Sequence, residues 1–137
     1  MEKEEIFRFL KENPSFALAT SEGVQPHVRY LMLHKADESG IYFMVGKFKE
    51  VYRQLSLNPS VELCFHKENF QVRVHGEVEN LDKNTDLKKE ILDARPFMKP
   101  WIDQAGLKYM AVFRVKNGIA TTWSLETELQ PKTFIQL

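Results

Sequence analysis

The sequence predicts a mainly β domain, built from short antiparallel strands with a few short helices. The clearest support is the stretch 70–80, where apolar residues such as Val72 and Val74 alternate with polar ones, as in a half-buried strand. Tight turn signals, such as Asn117-Gly118, separate several further apolar runs. Because strands joined by tight turns pair antiparallel and helical patterns are few, we expect a closed or partly closed barrel.

The first part of the chain predicts one helix and then a β-hairpin. Apolar residues at helical spacing indicate a helix over 4–13, which Pro14 ends. Two strands follow, over 16–20 and 25–34, and the turn at 21–23 joins them. The second of these strands carries Arg29 in line with leucines, where an arginine usually forms a salt bridge or extends to water.

A buried strand followed directly by a helix comes next. Apolar residues fill 41–45 between two glycines, and helical spacing then begins at Phe48 and ends before Pro59. Lys47 and Lys49 lie at the start of this helix, where the macrodipole is already positive. The two lysines therefore either bind an anion such as a phosphate or lie solvated on the surface, and the residues alone leave both interpretations open.

The second half predicts four more strands and a helix. The strands are expected over 61–66, 70–80, 109–115 and 119–124, and the helix over 85–94. The stretch 97–107 is predicted as irregular structure or a short helix. Gly76 lies within the longest strand and indicates a bend or bulge there.

Composition limits the classes of protein that fit. The 137 residues favour a single domain over 1–137, and 19 basic residues balance 19 acidic ones, so a nucleic-acid partner is not expected. One cysteine, Cys64, cannot form an internal disulfide. Neither a signal peptide nor a membrane-spanning run is evident, so we expect a cytoplasmic protein that does not enter membranes. The four histidines lack metal-binding spacing, and no nucleophile–base pair can be named, so no metal site is predicted and the catalytic residues are unknown.

Several short motifs occur in a characteristic order. They are Phe-Ala-Leu-Ala-Thr at 16–20, Pro-x-Val-Arg at 26–29, Ile-Tyr-Phe at 41–43, Gly-Lys-x-Lys-Glu-Val at 46–51, and Asn-Pro-x-Val-Glu-Leu-Cys at 58–64. In this order they resemble the pyridoxamine 5'-phosphate oxidase-like family of FMN-binding split barrels. The resemblance implies a six-stranded antiparallel split β-barrel of Greek-key topology with a few short flanking helices.

The resemblance also implies a homodimer with FMN bound at the subunit interface. Seven residues fall on cofactor-binding positions: Arg29, Tyr30, Leu31, Tyr42, Lys47, Lys49 and Gln71. Arg29 and Lys49 would hold the phosphate, and Gln71 would hydrogen-bond the flavin ring. Phe48 replaces the arginine of the family's Ser-Arg-Lys motif, and Lys47 is expected to replace the lost cation. Trp101 or Trp123 would cover a face of the ring, unless each packs in the core or the interface.

Two features depart from authentic pyridoxamine 5'-phosphate oxidases. The basic C-terminal segment that grips substrate is missing, and His34 occupies the place of a substrate-binding lysine. The expected function is therefore that of an FMN-dependent oxidoreductase that transfers electrons between a nicotinamide nucleotide and an unidentified small molecule. Two alternatives are a non-catalytic flavin- or haem-type binding or sensing protein and a small nucleic-acid-binding barrel.

Overall fold

Strands account for more residues than helices in the computed structural model, which describes residues 1–137. The helices are α1 (Lys3–Glu12), α2 (Glu50–Leu57), α3 (Thr85–Ala94) and α4 (Lys99–Ala105). The strands are β1 (Ser15–Glu22), β2 (Gln25–Met32), β3 (Lys35–Asp37), β4 (Gly40–Gly46), β5 (Ser60–Lys67), β6 (Phe70–Asn80), β7 (Met110–Val115), β8 (Ile119–Ser124) and β9 (Ile135–Gln136). None of the helices has the length and apolar character needed to cross a lipid bilayer.

The predicted mainly β, antiparallel fold with short helices is confirmed, although the strand count differs. Nine strands are present, whereas the resemblance implied six and the local patterns indicated seven. The other two, β3 and β9, are only three and two residues long and carry no alternation to recognise. The strand path is β2-β1-β5-β6-β7-β4-β3, and β2 and β3 at its two ends do not pair with each other. The sheet is therefore not a closed barrel.

The long strand β6 is where the sheet divides. Along one edge β6 pairs with β5, while along the other it pairs with β8 over 70–75 and with β7 over 78–80. Gly76 lies at the junction between these two partners, and a Cβ there would approach Val115 Cγ1 to 3.0 Å. The bend predicted from Gly76 thus coincides with the point at which β6 changes partners.

Two apolar clusters hold the sheet and helices together. The larger one lies on the inner face, where the rings of Phe16 and Phe65 stack with centroids 4.9 Å apart and α1 and α2 cover the sheet. The smaller one lies under α3, which buries Leu87 and Ile91 against residues of β4 and β7. Because α2 packs on the inner face, its first turn is fixed beside the ends of β2 and β4.

Strand β2 lies at the edge of the sheet, and its two faces differ. Arg29 and Leu31 point inward, as the alternation predicted, and are partly buried. The outward residues Val28, Tyr30 and Met32 are 70%, 73% and 47% exposed. We call these three side chains the outer β2 face. The chain leaves this apolar surface uncovered.

Candidate functional site

A groove of about 510 Å³ lies between the edge strand β2 and the start of α2. Its walls are His27, Val28, Arg29, Leu31, Val45, Lys49, Glu50 and Val51. The groove forms because β4 ends at Gly46 and the chain then turns into α2, which packs against β1 and β4 next to the edge strand β2. The structure therefore brings Arg29 and Lys49, two of the predicted phosphate-binding residues, to the same groove.

Hydrogen bonds to neutral oxygens hold the Arg29 guanidinium in place. Nη1 donates to the Leu18 carbonyl oxygen at 3.2 Å and to Thr20 Oγ1 at 2.8 Å, and Nη2 donates to Gln54 Oε1. None of these partners is a carboxylate, so Arg29 is not part of the simple salt bridge that its sequence position suggested. Burial lowers the pKa of Arg29 from its usual value, and the nearby Glu50 carboxylate opposes that shift.

Two of the guanidinium N–H groups stay free. Arginine has five N–H donors, and the three hydrogen bonds to protein use three of them. The Nε–H and one Nη2–H therefore have no protein partner. Such a pair can bind one phosphate or carboxylate group through two parallel hydrogen bonds.

Thr20 and Gln54 form the buried support of Arg29. They are only 2% and 1% exposed, and Thr20 Oγ1 donates to Gln54 Oε1 at 2.6 Å. The Gln54 amide must point its oxygen at Arg29, since its nitrogen would face two donors in that position. Gln54 Nε2 is consequently buried without a partner. The sequence analysis missed both residues, although a glutamine in the apolar stripe between Val51 and Leu55 was a usable signal.

Lys49 and Glu50 mark the start of α2. Lys49 occupies the N-cap position of the helix and is exposed, and its side-chain ammonium has no hydrogen bond or ion pair. Glu50 lies in the first turn, where a carboxylate is favourable for the helix dipole. The groove is thus lined by two cations, Arg29 and Lys49, and one carboxylate, Glu50, and it carries one excess positive charge.

Lys47 does not join Arg29 and Lys49. Its Nζ lies 2.7 Å from Asp82 Oδ2, and Lys88 Nζ lies 2.8 Å from Asp82 Oδ1. The Lys47 backbone N–H donates to the Tyr109 carbonyl at 2.9 Å, which holds the residue beside β7 and away from the groove. Burial alone would raise the pKa of Asp82, but the hydrogen bonds from the two lysines outweigh it and lower that pKa.

Tyr42 also lies away from the groove. Strand alternation turns Tyr42 toward α3, whereas Val45 on the same strand faces the groove. The Tyr42 hydroxyl shares a hydrogen bond with Ser39 Oγ at 2.8 Å and accepts one from Arg114 Nη1 at 3.4 Å. These contacts account for Tyr42 as a buried structural residue of the protomer.

The remaining predicted residues lie on two different faces of the sheet. Leu31 lines the groove, while the Tyr30 side chain belongs to the outer β2 face. Gln71 pairs with His66 and Trp123 on neighbouring strands and points to the face opposite the buried Val72. Within one protomer, Gln71 therefore cannot reach the groove that contains Arg29.

The comparison with known families agrees with this architecture. A family model described as pyridoxamine 5'-phosphate oxidase matches residues 2–124. The chain belongs to this family. A curated family relative, the pyridoxine/pyridoxamine 5'-phosphate oxidase of Gluconobacter oxydans (strain 621H), is 40% identical over 65 residues. That match covers 46% of this chain and 32% of the relative, so the chain spans about a third of the relative's length.

Solved structures share the fold over almost the whole chain. A NimC/NimA family protein from Clostridium acetobutylicum superposes with a TM-score of 0.78 at 29% identity, covering 98% of this chain and 92% of that chain. An FAD-binding protein from Mesorhizobium loti superposes with a TM-score of 0.65 at 20% identity, covering 90% of this chain and 96% of that chain. Because the Mesorhizobium loti protein is only 20% identical to this chain, the similarity between the two is evidence of a shared fold alone.

Proposed function

We propose that the protein is an FMN-binding oxidoreductase that transfers electrons from a reduced nicotinamide nucleotide to a small molecule. The observation that carries the proposal is the Arg29 guanidinium, held by three hydrogen bonds with two N–H groups left free beside the unpaired Lys49. Membership of the pyridoxamine 5'-phosphate oxidase family supports a flavin cofactor, as does an FAD-binding protein of the same fold.

The groove suits the phosphate end of FMN. Arg29 would give two parallel hydrogen bonds to one phosphate edge, and Lys49 would add a second positive charge. The free backbone N–H groups in the first turn of α2 supply further donors for an anion. Leu31 and Val45 would provide apolar contact, and the unpaired outer edge of β2, from Tyr30 onward, would offer backbone groups to the flavin ring.

A homodimer would complete this site. The outer β2 face, formed by Val28, Tyr30 and Met32, is apolar and exposed, and a second copy could bury it. Gln71 lies on the opposite face of the sheet from Arg29, so it would reach a flavin only in the groove of the partner copy. We assign it that role, as a hydrogen-bond partner of the ring.

The bound flavin would supply the redox chemistry, since it accepts a hydride and passes electrons on. The residues of this chain would bind and orient it. Arg29 and Lys49 would anchor one end, and the dimer contact would exclude water from the other. Lys47 and Tyr42 were also expected at the cofactor. Their side chains contact Asp82 and Ser39 outside the groove, so the proposal assigns them no contact with the phosphate.

The absorbance spectrum of the purified protein, with the mass of any released small molecule, tests the cofactor. We expect flavin absorbance bands and the mass of a flavin nucleotide. An Arg29→Ala/Lys49→Ala double variant should lose the bands, while Arg8→Ala/Lys11→Ala, which removes two exposed cations from α1, should keep them. A folded wild-type protein that takes up no added flavin would refute the proposal.

Turnover requires a separate assay. Under anaerobic conditions, the flavin-loaded protein is mixed with reduced nicotinamide nucleotide, and reduction of the flavin is followed as bleaching of its absorbance. A panel of small-molecule electron acceptors is then added. Rapid bleaching and reoxidation by an acceptor are expected for an oxidoreductase. Tight flavin binding without bleaching would instead indicate a storage or sensing protein.

A further inference from the structure

A second cavity, of about 460 Å³, lies directly beside the groove. We call it the aromatic pocket, and its walls are Phe48, Lys49, Trp101, Gln104, Ala105 and Tyr109. Lys49 belongs to the walls of both cavities. An anion bound at Lys49 would therefore lie at the boundary between the groove and the aromatic pocket. The volume falls within the range of roughly 300–1,000 Å³ typical of small-molecule sites.

The aromatic rings of this pocket are unusually exposed. Phe48 is 82% exposed and Trp101 52%, although both are large and apolar. The Phe48 and Tyr109 rings lie with centroids 5.6 Å apart at an interplanar angle of 52°. Exposed rings around a concavity are a favourable surface for a flat aromatic ligand.

The floor of the pocket is rigid. Tyr109 packs so closely on the backbone of Gly46 that a Cβ there would lie 2.4 Å from the Tyr109 hydroxyl. The Tyr109 carbonyl also accepts the Lys47 backbone N–H at 2.9 Å, and the Lys49 backbone N–H donates to the Gly46 carbonyl at 3.0 Å. These backbone contacts place the chain segment that carries Phe48 and Lys49 next to Tyr109.

We propose that the aromatic pocket binds the adenine ring of a flavin dinucleotide whose pyrophosphate lies at Lys49. The inference rests on the proposed function, because it takes the FMN half of FAD to lie in the groove with Arg29. Adenine would stack on Phe48 and Trp101, and the Gln104 amide offers both a donor and an acceptor to its edge. The Lys49 ammonium would then neutralise part of the negative charge on the pyrophosphate that joins the two halves of the cofactor.

A series of three flavins tests each half of the site separately. Riboflavin, FMN and FAD are titrated into flavin-free protein by calorimetry. The step from riboflavin to FMN measures the phosphate contribution, and the step from FMN to FAD measures the adenosine contribution. We expect FAD to bind roughly 5- to 150-fold more tightly than FMN, the range for one base stacked on aromatic side chains.

Variants of the pocket should change only the second step. Phe48→Ala and Trp101→Ala should reduce the ratio of FAD affinity to FMN affinity. Their FMN affinity should stay near the wild-type value, and this retained binding also shows that both variants fold. Phe48→Arg should strengthen FMN binding through its added charge and remove the preference for FAD. Phe134→Ala, at an exposed ring outside both cavities, is the matched control and should bind all three flavins as the wild type does.

The outcomes separate the two proposals. FMN binding without any gain for FAD, or an FAD advantage unchanged in Phe48→Ala and Trp101→Ala, would overturn the adenine site and leave the proposed function standing. Failure of the wild type to bind either flavin would overturn both.

Discussion

Replacing Arg29 with methionine is the most direct test of the phosphate site. The change keeps an unbranched side chain on β2 and removes the guanidinium. Two parallel hydrogen bonds to a phosphate would be lost, and hydrogen bonds to charged groups contribute about 1.5–3 kcal/mol each in partly buried sites. Because the groove is open to water, we expect about 2–4 kcal/mol in total, or a loss of FMN affinity of about 30- to 700-fold.

The same variant should lose only moderate stability. Arg29 gives up three hydrogen bonds to the protein, but Thr20 and Gln54 keep the 2.6 Å hydrogen bond between them. Replacing a partly buried guanidinium with an apolar side chain also removes a desolvation cost. We expect the free energy of unfolding to fall by about 1–2 kcal/mol, measured by urea denaturation of flavin-free protein.

Titration of FMN and riboflavin into the wild type and Arg29→Met provides the decisive measurement. Riboflavin has no phosphate, so its affinity should change little. The control is Arg8→Met, which removes an exposed cation from α1 and should leave both affinities unchanged. An equal loss of riboflavin and FMN affinity in Arg29→Met would show that Arg29 shapes the groove and does not bind phosphate.

Three further variants test other parts of the structure. Gly46→Ala places a Cβ 2.4 Å from the Tyr109 hydroxyl and should cost about 1–3 kcal/mol in urea denaturation, whereas an unchanged midpoint would contradict the close packing. Tyr30→Glu puts a charge on the outer β2 face and should give a folded monomer, detected by its molar mass in light scattering, that binds FMN weakly. A dimer that persists in this variant would place the interface elsewhere. Asp82→Asn leaves the buried Lys88 without its carboxylate and should cost about 1–3 kcal/mol while FMN affinity holds. Because Lys47 and Lys88 hold the Asp82 pKa below its ordinary value of 3.8, the carboxylate contributes its full stabilisation above that pH and loses it as the pH falls through the lowered pKa. Only the wild type should therefore lose this part of its free energy of unfolding on acidification.

The sequence predicted long elements better than short ones. Strand β6 and helix α3 were recognisable because alternation or helical spacing persists over 11 and 10 residues. Strand β3 has three residues and β9 has two, and both exist because they pair with β4 and β8. Segments of two or three residues are too short to show the alternation that identifies a strand, so their pairing was not evident from the local pattern.

The site was predictable where side-chain direction follows the strand, and not where loop geometry decides it. Alternation along β2 correctly placed Arg29 inward. Lys47 and Lys49 looked equivalent in sequence, two residues apart in the same turn. The structure separates them, because the backbone bond from Lys47 to Tyr109 turns one toward Asp82 while the other caps α2. The partners of Arg29 were hidden for a related reason, since Gln54 reaches it only when α2 packs against the neighbouring strand β1.

The placement of the predicted residues on opposite faces has a thermodynamic consequence. Arg29 belongs to the inner side of β2, and Gln71 belongs to the outer side of β6, so one flavin can contact both only if it lies between two copies. Binding of the cofactor and association of the copies are then linked, and each must strengthen the other by the same factor. FMN should tighten the dimer, and dilution should release FMN as the dimer dissociates. A dimer constant that is the same with and without saturating FMN would mean that Gln71 makes no contact with the flavin and that each protomer binds it alone.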